Sequence, residues 1–351
     1  MKRFSRRDFL RLMLLSAGSL TVNKLLAACG LGPPPGLPTE TPASFPPTNT
    51  VEVIPPEMLQ PTTAPTEILP STPTATGIPL PPVDLVVAHG SDPEEMVRQA
   101  LAAYGGMQAF VPRGANVVVK PNICVAYHTY EYAATTNPWV VGALVKLALE
   151  AGASRVQVFD FPFGGSAQEA YARSGIEEQV KAAGGEMMPM PDFKFVSTDI
   201  PEGVDLKRTK AFKDALEADV LIDVPIAKHH GSARLTLGMK NLIGLVLDRG
   251  AIHNNLGQRI ADLAVLFRPK LTVVDAIRML MRHGPSGGNL DDVKKMDTII
   301  VSPDIVAADS YATTLFDLQP FDIEYIKAAS RMGLGNSDLK SLKIEEIAVG
   351  A

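Results

Sequence analysis

From Val83 onward, short apolar runs alternate with stretches whose apolar residues recur every three to four positions. Val83–Ala88, Asn116–Lys120, Arg155–Asp160, Val220–Val224, Leu271–Val274 and Thr298–Val301 are short, mostly apolar and largely β-branched, the pattern of buried strands. Pro93–Tyr104, Pro138–Ala151, Ser166–Arg173, Ile176–Ala183, Leu256–Phe267, Pro303–Phe316 and Ile323–Arg331 carry helical spacing. Start signals agree with that division. Ser91 or Asp92 stands before Pro93 and Asn137 before Pro138, which places a capping side chain ahead of a first-turn proline. Strands and helices alternating at this interval predict an α/β fold over residues 83–351, with a mostly parallel sheet and flanking helices. The length allows one large domain or two intimately joined lobes.

Residues 1–82 have another texture. A basic start carries the pair Arg6-Arg7 between Ser5 and Phe9-Leu10; a modest apolar stretch follows and ends Leu26-Ala27-Ala28-Cys29. A charged start, apolar middle and small-residue end predict a secretory signal. The run from Leu12 to Ala28 is interrupted by Ser16, Gly18, Ser19, Thr21, Asn23 and Lys24. That is too short and polar for a span, which needs about 20 mostly apolar residues. The arginine pair resembles the twin-arginine export signal, and the Leu-Ala-Ala-Cys ending resembles a lipoprotein box. The expectation is a signal peptide over 1–28, read by the twin-arginine export machinery. Cys29 then becomes the lipid-bearing first residue, anchored through more than one acyl chain such as palmitate. The protein is expected on the outer face of the cytoplasmic membrane, or on an outer membrane where one exists. Residues 30–82 hold sixteen Pro and ten Thr and no Lys or Arg. Such a stretch buries too little apolar surface to offset its ordering entropy, so a disordered spacer is expected over 29–82.

The net charge of −5 includes this basic leader, so the remainder is more acidic still. An acidic body excludes a nucleic-acid partner held by bulk electrostatics and leaves room for a local basic pocket. The two cysteines are Cys29 and Cys124. With Cys29 lipidated, Cys124 has no partner within the chain, and the fold is expected to stand without disulfides.

The candidate chemistry falls where strands end. Asn116–Lys120 runs into Pro121-Asn122, Arg155–Asp160 into Phe161–Ser166, and Val220–Val224 into Pro225–Ser232. Leu271–Val274 leads through Asp275 to His283–Gly288, and Thr298–Val301 runs into Ser302-Pro303-Asp304. Ligands of open parallel sheets bind outside the carboxyl ends of the strands, so five such loops on one edge would build one cleft. The densest segment is Lys228-His229-His230-Gly231-Ser232-Ala233-Arg234 followed by Gly238-Met239-Lys240-Asn241-Leu242-Ile243-Gly244. A loop leading into a helix offers free N–H groups to an anion, and Lys and Arg add charge-assisted contacts. A metal set drawn from His229, His230, His253 and His283 with Asp160 or Asp275 is a weaker alternative, because no H-E-x-x-H or C-x-x-C spacing exists. Cys124 reads first as a small buried hydrophobe and Asp304 as a capping residue.

Together these segments resemble a known family, domain of unknown function 362. The resemblance rests on the order of Val118–Asn122, Thr135–Pro138, Pro225–His230, Met239–Gly244, and Asp275 with Gly284–Gly287. It spans roughly Val86 to Leu318. The resemblance implies a shared cleft at Lys120, Asn122, Lys228, His230, Lys240 and Asn241. Many members of that family carry ferredoxin-like cysteine clusters. One free cysteine cannot hold a cubane, which needs four thiolates or close substitutes, so no intrinsic iron–sulfur cluster is expected here, and no other cofactor is specified.

The reading favoured by the residues is an enzyme acting on a small anionic or carbonyl-bearing substrate. Lys228 and Lys240 hold or polarise the anion, with Lys120, Asn122, Asn241 and Arg234 as further binding residues. His230 or His253 serves as acid–base near neutral pH, and Asp275 orients one of them. A non-catalytic solute- or metal-binding lipoprotein and a metal-dependent enzyme using the His set are the alternatives.

Overall fold

Three consecutive valines, Val117, Val118 and Val119, are wholly buried at the centre of the sheet, as a strand covered on both faces requires. The computed structural model describes residues 83–350. The expected signal peptide with Arg6 and Arg7, Cys29 and the Pro/Thr-rich spacer lie outside the described residues. All described residues fall within one unit.

The strands are β1 (Leu85–His89), β2 (Asn116–Pro121), β3 (Arg155–Val158), β4 (Glu186–Met187), β5 (Phe195–Asp199), β6 (Arg208–Phe212), β7 (Val220–Val224), β8 (Ile226–His230), β9 (Arg234–Thr236), β10 (Leu271–Leu280), β11 (Val293–Ser302) and β12 (Ile344–Ala348). A ten-stranded sheet runs β12-β1-β11-β10-β7-β2-β3-β4, with β8 paired to β10 and β9 to β8. The pairs β2–β3, β2–β7, β3–β4, β7–β10, β8–β10 and β1–β12 are parallel. Strand β11 lies antiparallel to both of its neighbours, and β8–β9 is antiparallel too. The sheet is thus mostly parallel, as the alternation of elements predicts.

Side chains alternate across each strand, and the core divides accordingly. Val117, Val119, Ile222, Val273 and Ile299 face one core, with helices α1 (Pro93–Ala102) and α2 (Pro138–Glu150). Val118, Leu221, Val274 and Ile300 face the other. That second core is closed by α3 (Leu256–Phe267), α4 (Ile305–Thr314) and α5 (Glu324–Arg331). The expected caps are present: Asp92 accepts from Glu94 and Glu95 N–H, Asn137 from Trp139 N–H, and Asp304 from Val306 and Ala307 N–H.

Three features differ from the sequence reading. Strands β10 and β11 each run ten residues, because their antiparallel ladder continues past the apolar runs from Thr272↔Ser302 to Leu280↔Val293. The stretch expected as a loop after Val224 forms β8, a turn and β9. The direction of β11 carries Ser302-Pro303-Asp304 to the opposite edge, so that loop does not join the expected cleft. Of the other strand-end loops, the pocket described below takes lining residues from those after β2, β3 and β10 and from β8 and the turn that follows it.

Two buried carboxyls tie the site's supports to the frame. Asp275 accepts from Asn137 N–H at 2.7 Å and Ile277 N–H at 3.0 Å. Asp309 accepts from Gly238 N–H at 2.6 Å and Met239 N–H at 2.9 Å. Burial pushes Asp275 up to about 6 and Asp309 up to about 7, from 3.8. The folded state therefore holds protons that the unfolded chain releases above 3.8, so stability falls as pH rises through about 6 and about 7. Asp309→Asn is expected to flatten that fall, measured as the urea midpoint across this pH window.

Candidate functional site

The carboxyl ends of β2, β3 and β8 converge on one edge, where a cavity of about 530 Å³ opens. Its floor is the turn Pro121–Cys124, which Thr135 and Thr136 pin in place. Thr136 Oγ1 accepts from Asn122 N–H at 2.9 Å and donates to Val224 O at 2.8 Å, and Thr135 Oγ1 accepts from Cys124 N–H at 3.1 Å. One wall is the helical turn Gly238–Asn241, which presents Lys240 and Asn241. The other wall is Arg249–His253 together with Phe161 and Phe163.

Below the cavity lies a buried polar network. Lys120 is wholly buried, and its ammonium donates to Asp160 Oδ1 at 2.7 Å, Asn241 Oδ1 at 2.8 Å and Pro121 O at 2.8 Å. Asp160 Oδ2 accepts from Ile123 N–H at 2.5 Å. Asn241 Oδ1 also accepts from Asn122 Nδ2 at 2.9 Å, while its Nδ2 donates to Asp223 Oδ1 at 2.8 Å. Lys228, equally buried, donates to Asn122 Oδ1 at 2.8 Å and Ala134 O at 2.7 Å. Removing such charges from water costs several kcal/mol per ion unless partners compensate, and here every ammonium has them. Asp223 is the exception among the carboxyls. Its Oδ2 is buried without a partner, and burial holds it well above the usual carboxylate range.

Lys240 differs from the two lysines beneath it. Its side chain is partly exposed, and its Nζ has no hydrogen-bond partner among the described residues. Burial, then the charge of Lys228, lower it to about 7 against the opposing effect of Cys124, with a smaller lowering from Lys120. Burial lowers Lys228 as well. His230 is pushed down to about 3 by burial and by the neighbouring Lys240 and Lys228. Its Nδ1 accepts from Ser232 N–H at 3.1 Å and Ala233 N–H at 3.2 Å, which assigns the neutral tautomer with hydrogen on Nε2. His253 Nδ1 pairs with Arg249 O at 2.8 Å, an acceptor, so its Nε2 is the unprotonated nitrogen of the neutral ring. Arg249 donates to Phe161 O at 2.8 Å and stands 4.3 Å over the Phe161 ring.

Lys120, Asn122, Lys228, His230, Lys240, Asn241 and His253 therefore meet at one site, as the sequence predicts. Asp275 does not reach it: its two oxygens bind Asn137 and Ile277 N–H, and it orients no histidine. Arg234 is also elsewhere, paired with Asp322 at a separate hollow. His230 is not the expected acid–base near neutral pH, because burial among cations keeps it neutral. The anion cradle of helix N–H groups is absent too, since Asp309 occupies the first two, Gly238 and Met239. The imidazoles proposed as a metal set have separate duties: His229 Nδ1 accepts from Gly284 N–H at 3.2 Å and His283 pairs with Asp292 at 2.6 Å. Among the described residues no three His, Cys, Asp or Glu side chains converge as ligands. Arg249 was not legible in advance, as it stands between Asp248 and Gly250 and opens a four-residue helical turn, outside any apolar pattern. Asp160 was legible as a strand-end carboxylate, though not as the partner of Lys120.

A family model described as "Domain of unknown function (DUF362)" matches residues 117–314. A thylakoid-associated protein of Synechocystis sp. is 30% identical over 249 residues, covering 68% of this chain and 74% of that protein. Among solved structures, the lactate racemase apoprotein of Thermoanaerobacterium thermosaccharolyticum aligns with a TM-score of 0.41 and 14% identity, over 67% of this chain and 57% of that one. A protein of Thermotoga maritima aligns with a TM-score of 0.32 and 11% identity, over 69% of this chain and 60% of that one. The chain thus spans less than two thirds of either structure.

Gly244 packs against the ion pair so closely that a Cβ there would stand 2.2 Å from Asp160 Oδ1 and 2.8 Å from Lys120 Nζ. Gly244→Ala is expected to force the pair apart and to lower stability by about 3–5 kcal/mol, the range for breaking a buried pair. Denaturant unfolding measures it, with Gly231→Ala, which meets open space, as the neutral control.

Proposed function

The chain belongs to the family described as domain of unknown function DUF362, and on that premise we propose that it is an enzyme for a small anionic substrate, bound in the lysine- and histidine-lined cleft and held at a membrane through lipidated Cys29. The observation that carries the catalytic part is the unpartnered Lys240 amine. It faces a cavity of about 530 Å³ among other cations, in a chain of net charge −5. Lys120 and Lys228, by contrast, are fully buried and paired. Their buried charges and the guanidinium of Arg249 supply a positive field in a partly desolvated space, where charge-assisted contacts to carboxylate or phosphate are strong. His230 adds a fixed Nε2–H donor, since its other nitrogen is occupied. Lys240, lowered to about 7, exchanges its proton in the range where general acid–base catalysis is most effective. The Nε2 of His253 is an acceptor on the wall that also carries Arg249.

The tethering part rests on sequence: Arg6-Arg7, the apolar stretch and Leu26-Ala27-Ala28-Cys29. The relative's description as thylakoid-associated accords with a protein that works against a membrane. No helix among the described residues is long and apolar enough to cross a membrane.

Two measurements test this reading. Acetate and inorganic phosphate are expected to raise the melting temperature, and to bind more tightly as pH falls through about 7 and Lys240 gains its proton. In Lys240→Met the pH dependence disappears and affinity falls by roughly tenfold, in keeping with loss of one charge-assisted contact; unchanged pH dependence would remove Lys240 from the site. For the tether, Cys29→Ser is expected to move the protein from the membrane fraction to the soluble fraction of its native host, and retention on the membrane would contradict the lipid anchor.

A further inference from the structure

We propose that the substrate of this cleft is a small carboxylate carrying an aldehyde or ketone carbonyl, and that Lys240 captures that carbonyl as an imine. The inference rests on the anion-binding reading above and adds to it the class of substrate and the covalent step.

Three lysines line the cavity. Lys120 and Lys228 spend their ammonium hydrogens on Asp160, Asn241, Asn122 and backbone carbonyls. They are fixed cations. Lys240 has neither a carboxylate nor a carbonyl partner among the described residues, and burial and the charge of Lys228 disfavour its proton more than Cys124 favours it. An amine desolvated beside other cations is the arrangement that activates lysine as a nucleophile toward carbonyls. For holding an anion alone it is a poor choice, because a lysine that is half neutral near pH 7 binds more weakly than a guanidinium. Arg249 supplies the guanidinium on the facing wall. Two of its nitrogens each donate to a backbone carbonyl, Phe161 O at 2.8 Å and Pro162 O at 3.3 Å. Five N–H donors are available on the group, so hydrogens remain for a carboxylate. Phe161, Phe163, Ile123 and Ile243 line the space between these poles, which suits a short carbon chain.

The step balances without any oxidant or reductant. The neutral Lys240 nitrogen donates its lone pair to the carbonyl carbon, forming C–N while the C=O π pair moves to oxygen. A proton passes from nitrogen to that oxygen, with His253 Nε2 as carrier. A second proton from solvent lets the hydroxyl leave as water, and the nitrogen lone pair closes the C=N bond to give a protonated imine. His230, at the end of β8, lines the same cavity, and its Nε2–H holds the oxygen as charge develops on it.

Pyruvate is a suitable probe. The full chain is incubated with pyruvate at neutral pH, reduced with sodium borohydride, digested and mapped by mass spectrometry. An amine lowered to about 7 offers on the order of a thousandfold more free base at neutral pH than an ordinary lysine. The expected result is one reduced adduct, on Lys240, at least about tenfold above any other lysine. The adduct is lost in Lys240→Arg. If acetate and pyruvate raise the melting temperature of the native chain while no adduct forms on Lys240, or adducts scatter evenly over the lysines, the imine is overturned and the anion cleft stands. If neither anion raises it and no adduct forms, the cleft reading falls together with the imine. Because the map is made on the native chain, a variant that fails to fold leaves the result decisive.

Discussion

The buried ion pair between Lys120 and Asp160 is the constraint from which the rest of the site follows. It joins the ends of two neighbouring parallel strands, β2 and β3, at 2.7 Å and with almost no contact with water. Such a pair is tolerable only when every remaining donor and acceptor is satisfied. Asn241, Ile123 N–H and the Pro121 carbonyl meet that demand. Asn241 in turn holds Asn122 and Asp223, and Asn122 holds Lys228. The network fixes side chains from β2, the β3 loop, β7, β8 and the turn Gly238–Asn241 in one arrangement. Gly244 closes over it, where no larger residue fits.

A floor of this kind has an electrostatic consequence. Charges locked beneath a cavity are screened little by water, so anything placed above feels them. His230 and Lys240 both respond, one held neutral and the other brought to about 7. Burial first, and the neighbouring lysine charges second, disfavour the proton on both groups.

Much of the frame was legible in the sequence. The strand Val220–Val224 and the helix Leu256–Phe267 fall where the pattern places them, because apolar periodicity reports burial directly. Lys120, Asn122, Lys228, Lys240 and Asn241 were legible as a cleft because parallel strands deliver their ends to one edge. The direction of β11 was not, since an apolar run reads the same either way, and Asp304 was assigned to the wrong edge with it. Asp275 and Asp160 both follow apolar runs, but only tertiary packing decides which one faces a lysine and which one binds backbone N–H groups. The neutrality of His230 likewise depends on neighbours far away along the chain. Arg249 reaches the site from a short helical turn that no pattern marks.

The central claim is that Lys240 is an unpaired amine whose surroundings lower its affinity for a proton. Competitive labelling with acetic anhydride across a pH series, read at the Lys240 peptide against other lysines, measures that directly. A half-titration at about 7 is the predicted result. A half-titration near the ordinary lysine value of 10.5 would contradict it, and would leave the cleft a set of fixed charges with no group poised to react.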